Sequence, residues 1–210
     1  MLYIVTPLSR IENIFMLFKS IDLPIFKPSK TAEWYILVDG KLDEKSKEKI
    51  KELCFYCSNI RIIYSPISNS FVGHSHRNWF LENIYLYPKI KNQKGIDWLY
   101  FLDDDTLLHP DFLDTIIPLL ESNSDKSAII FDQENKDGSM RLFANINQVK
   151  VCHIDMGQYI VNLSKLPSDL RFKEDDYCAD GIFIEELFKR VGPEQFIVIN
   201  KTLSTYNKLR

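Results

Sequence analysis

The sequence predicts an α/β domain whose central sheet is mostly parallel and flanked by helices. Three observations carry this expectation. Short apolar runs alternate with amphipathic ones four times across the first half, the pattern of successive right-handed βαβ units. One run, Trp98-Leu99-Tyr100-Phe101-Leu102, has no polar alternation, as expected of a strand buried on both faces. It ends in Asp103-Asp104-Asp105, carboxylates at the strand end where open α/β sheets bind ligands.

Taken in order, Leu2–Val5 reads as a buried strand ended by Thr6-Pro7. Ile11, Ile14, Phe15, Leu17 and Phe18 have helical spacing within 10–20. Leu23–Lys30 carries two prolines and reads as a loop. Trp34–Val38 is a second strand closed by Asp39-Gly40, and Asp43 caps a charged helix reaching Cys54. Ile60–Tyr64 is a third strand, Ser65–Gly73 a polar loop, and His74–Leu86 a helix stopped by Pro88.

Beyond the carboxylates, a helix runs from Pro110-Asp111-Phe112 to about Leu120, with Pro118 placed to kink or end it. Ala128–Phe131 is a short buried strand and Asp137-Gly138 a hairpin signal. Val149–Asp155 and Tyr159–Leu163 read as strands around Met156-Gly157. Asp176–Val191 is mostly helical, Phe196–Ile199 a strand, and Leu203–Tyr206 a candidate for another. A single domain, 1–210, with halves 1–106 and 107–210, accommodates all of these elements.

Composition narrows the function. A hydrophobic content of 45% supports a full core, and a net charge of −3 argues against nucleic acid as the main partner. Lys89–Lys94 is a basic patch with the character of a solvated loop. No signal peptide is readable, and no apolar run approaches the roughly 18–20 residues of a membrane span. The expectation is a cytoplasmic protein, with peripheral attachment at the inner membrane face left open. The four cysteines show no disulfide framework, and Cys54-Phe-Tyr-Cys57 matches a redox or zinc pattern in form only. His74-Ser-His76 has no third zinc ligand at a readable spacing.

Like charges side by side raise one another's pKa unless a cation compensates. Oxygen-only ligands suit Mn2+ or Mg2+ shared with substrate phosphates. Asp105 is therefore a candidate metal ligand, and Asp103 a candidate contact for a ribose hydroxyl. The triplet also fits a polar turn, with Asp105 or Thr106 capping the next helix. If the first strands are parallel, Thr6, Pro7 and Asp39 share this edge, where Asp39 could accept from a base N–H. Arg10, Arg77 and Asn78 could meet phosphate or the neighbouring carboxylates. The absence of G-x-G-x-x-G, G-x-x-x-x-G-K-[ST] and G-x-S-x-G argues against dinucleotide, P-loop and α/β-hydrolase chemistry.

These residues resemble the GT-A glycosyltransferases, most nearly the family 2 class. Tyr3–Pro7 with Arg10 is similar to the family's first strand and nucleotide loop, and Trp34–Gly40 to its second. His76-Arg77-Asn78 followed by Trp98–Asp105 is similar to its arginine helix and D-x-D motif. His153–Leu163 also resembles the animal glucuronyltransferases of the same fold. The likeness spans about residues 2–190. It implies a nucleotide-sugar half (1–106) and an acceptor half (107–210), a donor that is often UDP-linked, inversion at the sugar, and a Mn2+ or Mg2+ ion held by Asp103 and Asp105 as the D-x-D pair, with Asp104 as an adjacent ribose or metal contact. It implies a base near the start of a late helix, for which Asp180 is the first candidate and Asp176 the second. Asp155, Gln158 and Tyr177 are candidates to line an acceptor pocket, and Trp79, Tyr159 and Tyr177 to stack on a sugar. The acceptor would be a glycan or a lipid-linked sugar. No Q-x-x-R-W follows the late acidic element, which argues for single-sugar rather than processive transfer. A sugar nucleotidyltransferase and a non-catalytic nucleotide-sugar binder are the alternatives. The first is disfavoured because Thr6-Pro-Leu-Ser-Arg10 contains no glycine.

Overall fold

The computed structural model describes residues 1–21, 31–39, 42–67, 73–83 and 97–209, without the side chains of Asp39 and Tyr56. The expected loop 23–30, the patch 89–94, Gly40 and the end of the helix expected to stop at Pro88 lie outside them. The strands are β1 (Leu2–Leu8), β2 (Ala32–Asp39), β3 (Ile60–Ser65), β4 (Trp98–Phe101), β5 (Leu107–Leu108), β6 (Ala128–Glu134), β7 (Met140–Leu142), β8 (Tyr159–Asn162) and β9 (Phe196–Thr205). The α-helices are α1 (Ile14–Ile21), α2 (Glu44–Tyr56), α3 (His74–Asn83), α4 (Phe112–Ser122) and α5 (Ala179–Val191).

The nine strands of the described residues form one sheet, ordered β3-β2-β1-β4-β8-β6-β9-β5, with β7 paired to β6. β3, β2, β1 and β4 run parallel, as the alternation in the first half predicts. The second half mixes directions: β8 is antiparallel to both β4 and β6, and β9 is parallel to β6. The sheet order reverses at β1, whose neighbours are β2 and β4. The crevice beyond the carboxyl ends of β1 and β4 is the topological switch point where such sheets take ligands.

Strand alternation builds a core on each face. Leu2, Ile4, Trp98, Tyr100 and Leu102 pack with α1, α2 and α4 through Leu17, Ile50 and Ile116. Tyr3, Val5, Leu99 and Phe101 pack with α3 and α5 through Phe80, Phe183 and Leu187. Burying a side chain of this size contributes about 1.5–3 kcal/mol, enough for two such faces to hold the layers together. Asp43 caps α2 as expected, its carboxylate accepting from Ser46 N at 2.7 Å. Pro118 lies inside α4, which continues to Ser122.

The structure corrects several expectations. Residues 149–155 are a turn, not a strand, and Cys152 takes φ +66°. Val149 and Ile154 are buried in the core as strand residues would be, but they pack there from a turn. The two strands expected at 196–206 are one, and irregular pairing at Phe131/Asp132 and Asp132/Gln133 absorbs its polar middle. Helix α5 starts at Ala179 rather than Asp176. Asp105 and Thr106 cap no helix, because the chain runs on into β5.

Thr6 is fully buried in β1, where its hydroxyl accepts from the indole N–H of Trp34 at 3.0 Å. Thr6→Val keeps the shape and strands that donor, so it should cost about 1–3 kcal/mol. Urea unfolding should show a lower midpoint with an unchanged m value.

Candidate active site

A cavity of about 620 Å³ opens at the switch point, a size suited to a small-molecule ligand. The end of β1 and the residues after it (Pro7 to Arg10), the start of α3, the carboxylates after β4, Arg141, the 152–156 segment, Tyr177, Cys178, Asp180, Tyr206 and Asn207 line it. Gly73, at φ +78°, lets the chain pass Pro7: a Cβ there would lie 3.2 Å from the proline side chain.

Each carboxylate of the triplet has a different partner. Asp103 lies between β4 and the cavity, about a third of its surface open, and its Oδ1 pairs with the buried Arg77 guanidinium. Enclosure pushes its carboxyl up to about 6 against the pull of Arg77, and Asp155, Asp105 and Asp104 add to the rise. Arg77 also donates to His74 Nδ1 at 2.8 Å. Burial first, then Arg77, draws His74 down to about 4, so the imidazole stays neutral and can accept that bond.

Asp104 is turned to a structural task. Its Oδ2 accepts from Ser9 N, Ser9 Oγ and Arg10 N at 2.6–2.7 Å, and its Oδ1 binds the Arg10 guanidinium. Its main-chain oxygen accepts from Asn13 Nδ2 at 2.9 Å. It therefore moulds the segment after β1 instead of offering its oxygens to a ligand. Asp105 lies 3.2 Å from the same guanidinium, so Arg10 bridges two of the three acids.

Asp180 stands in the first turn of α5 and lines the same cavity as Asp103. Its carboxylate accepts from Gly181 N at 2.8 Å and Met156 N at 3.1 Å. Burial, with help from Asp155, pushes it up to about 6 despite those bonds. Asp155 is paired with Arg141 at 3.0 Å and caps the short helix 156–158. The Arg141 guanidinium stacks 3.5 Å from the Tyr206 ring centre.

The structure thus brings Pro7, Arg10, Arg77, Asp103, Asp104, Asp105, Asp155, Tyr177 and Asp180 to one cavity. Thr6, Asn78, Gln158 and Asp176 have other work. Asn78 clamps Phe172, donating to its O and accepting from its N, both at 2.8 Å. Gln158 is buried, donates to Phe131 O and closes the capping box with Asp155. The Asp176 carboxylate accepts from Cys178 N in its own turn. Asp39 ends β2 on the ligand edge, by its backbone. Trp79 packs against the core and Tyr159 is buried, with its hydroxyl donating to Asp180 O, while Tyr177 is exposed at the rim. Ser9, Arg141 and Tyr206 carry no local sequence signal that would have marked them.

Among the described residues no group of three or more His, Cys, Asp or Glu side chains forms a metal cage. Asp103 and Asp105 supply hard oxygen donors from one short segment, which fits a cation bound through one or two carboxylates plus substrate phosphates.

No family model and no curated protein matches the sequence. Solved structures do match. S. aureus TarS residues 1–349 superpose with a TM-score of 0.70 at 14% identity, covering 97% of this chain and 59% of that one. The same fragment in complex with UDP-GlcNAc gives 0.67 at 15% identity, covering 97% and 57%. The mannosyltransferase PcManGT from Pyrobaculum calidifontis, in complex with GDP-Man and Mn2+, gives 0.63 at 11% identity, covering 98% and 56%. The chain has the GT-A fold of these glycosyltransferases and spans under two thirds of their length. Among its described residues no helix is long and apolar enough to cross a membrane.

Asp104→Ala removes the acceptor that shapes the segment after β1 and leaves Arg10 with one carboxylate fewer. It should cost on the order of 3 kcal/mol, whereas Asp105→Asn should cost less than half of that in the same denaturant titration.

Proposed function

We propose that the chain is an inverting glycosyltransferase that moves one sugar from a UDP-sugar to a hydroxyl of a glycan or lipid-linked acceptor. The observation that carries this reading is the pairing, in one cavity, of a cation-compensated carboxylate cluster with a separate carboxylate, Asp180, whose affinity for protons is raised. Two carboxyl groups held in different environments can divide binding from proton transfer. The nucleotides bound by the TarS and PcManGT structures support a nucleotide-sugar donor.

In this reading the nucleotide lies across the carboxyl ends of β1, β2 and β4. Asp39 meets the base and Asp103 the ribose. Arg10 and Arg77 offset the diphosphate charge, exchanging contacts with their carboxylate partners. Asp105, with Asp103, would hold Mn2+ or Mg2+, which supplies Lewis-acid stabilisation of the leaving diphosphate. Asp180 takes the proton from the acceptor hydroxyl as that oxygen attacks the anomeric carbon. The bond from that carbon to the diphosphate oxygen breaks, and configuration inverts. Tyr177 and Asp155 flank the acceptor.

Calorimetric titration with UDP is the direct test. Binding should need Mn2+ and should be lost in Asp105→Asn. Absence of binding to UDP, GDP and CDP under all conditions would reject the nucleotide-sugar reading. Asp180→Asn should leave UDP binding intact and lower kcat by about 10²–10⁴-fold. A base must be ionised to act, so kcat in the wild type, with donor and Mn2+ saturating so that Asp103 stays ionised, should rise with pH through about 6 and then level, and the mutant's residual rate should lack that limb.

A further inference from the structure

Cys152 and Cys178 meet at the cavity mouth with their sulfurs 3.6 Å apart, in hydrogen-bonding contact. They come from separate elements: Cys152 from the 149–155 turn, Cys178 from the cap of α5, two residues before Asp180. Both line the cavity, and Cys152 is exposed. Cys152 is also held at φ +66°, a conformation that a side-chain-bearing residue adopts only when its surroundings impose it.

Those surroundings are tight. A Cβ on Gly181 would lie 3.1 Å from Val151 Cα and 3.3 Å from Cys152 N, and Val151 N donates to Glu185 Oε2 at 2.8 Å. The turn and α5 therefore already lie in contact, and the thiols face each other across a preformed seam.

We propose that Cys152 and Cys178 form an oxidisable dithiol that reacts with hydrogen peroxide and, as a disulfide, locks the 149–155 turn to α5 at the cavity mouth beside Asp180. The exposed Cys152 reacts first. Its thiolate attacks one peroxide oxygen, the S–O bond forms, the O–O bond breaks, and the departing oxygen leaves as water. The Cys178 thiol gives up its proton and attacks the Cys152 sulfur, so that the S–S bond forms and the S–O bond breaks, releasing a second water. Two thiols lose two electrons, and the peroxide becomes two waters. Cys178 takes the second role because it is the less exposed of the two thiols and already in contact with the Cys152 sulfur. Thiol reductants reverse the step by exchange.

The folded protein should be titrated with hydrogen peroxide, quenched, alkylated in denaturant, and mapped without reduction. A Cys152–Cys178 cross-linked peptide is expected, separable by dithiothreitol, with Cys54 and Cys57 still alkylated. The cross-link closes a loop in the unfolded chain, so Tm should rise and return on reduction. In Cys178→Ser, Cys152 should instead be trapped as a sulfenic acid by dimedone. Oxidation of Cys152 to sulfinic acid in the wild type without a cross-link would overturn the modification site. The effect on turnover rests on the glycosyltransferase reading: sugar transfer should fall on cross-linking and recover with dithiothreitol. An active enzyme whose rate ignores the cross-link would overturn the effect of the locked turn on the site. A reduced protein with no transfer activity would instead count against the functional reading, and the peptide map would still decide the modification.

Discussion

Repulsion among three consecutive carboxylates at the end of β4 is the constraint on which the rest of the site depends. Asp103, Asp104 and Asp105 cannot all be ionised within a few ångströms unless positive charge or donors surround them. The protein distributes the compensation. Arg77 comes from α3 to Asp103, Arg10 comes from the segment after β1 to Asp104 and Asp105, and main-chain N–H groups of Ser9 and Arg10 converge on Asp104. The cost of gathering these acids is thus offset by groups that simultaneously fix the two segments bordering the cavity.

The same economy holds on the far wall. Phe172 stacks on Phe183 of α5 at 4.1 Å and meets Phe101 of β4 edge-on at 5.5 Å. Asn78 binds its main chain from α3. One aromatic residue in a connecting segment therefore ties together the helix that carries Arg77, the strand that leads to Asp103, and the helix that carries Asp180. Rigid placement of groups on different elements is what preorganisation of a site requires.

The parallel half of the fold was legible because its strands are buried on both faces and its helices are amphipathic, so periodicity reports burial directly. The carboxylates were legible because three acids after an apolar strand carry a charge that must be compensated. Short polar residues were harder. Thr6, Asn78 and Gln158 have the chemistry of ligand contacts, and sequence does not distinguish a hydroxyl or amide aimed at a ligand from one satisfying a buried donor. Thr6 serves Trp34, Asn78 serves Phe172, and Gln158 serves Phe131. The turn at 149–155 was misread for a related reason: its apolar residues pack inward without forming a ladder. Arg141 and Tyr206 lie 65 positions apart, and only the pairing of β6 with both β7 and β9 brings them together.

Asp180 illustrates why a site cannot be reduced to its charges. Its carboxylate accepts two main-chain N–H bonds, which favour ionisation, yet burial and the neighbouring Asp155 outweigh them. That balance requires α5 to begin close against the 151–154 turn, since Met156 N and the enclosing surface both come from that side. The close approach in turn requires Gly181, because any Cβ there would crowd the backbone of Val151 and Cys152. The dipeptide Asp180-Gly181 is therefore one device. The glycine admits the turn, the turn encloses the carboxylate, and enclosure raises proton affinity toward the range in which a carboxylate can both receive a proton from a hydroxyl and release it to water.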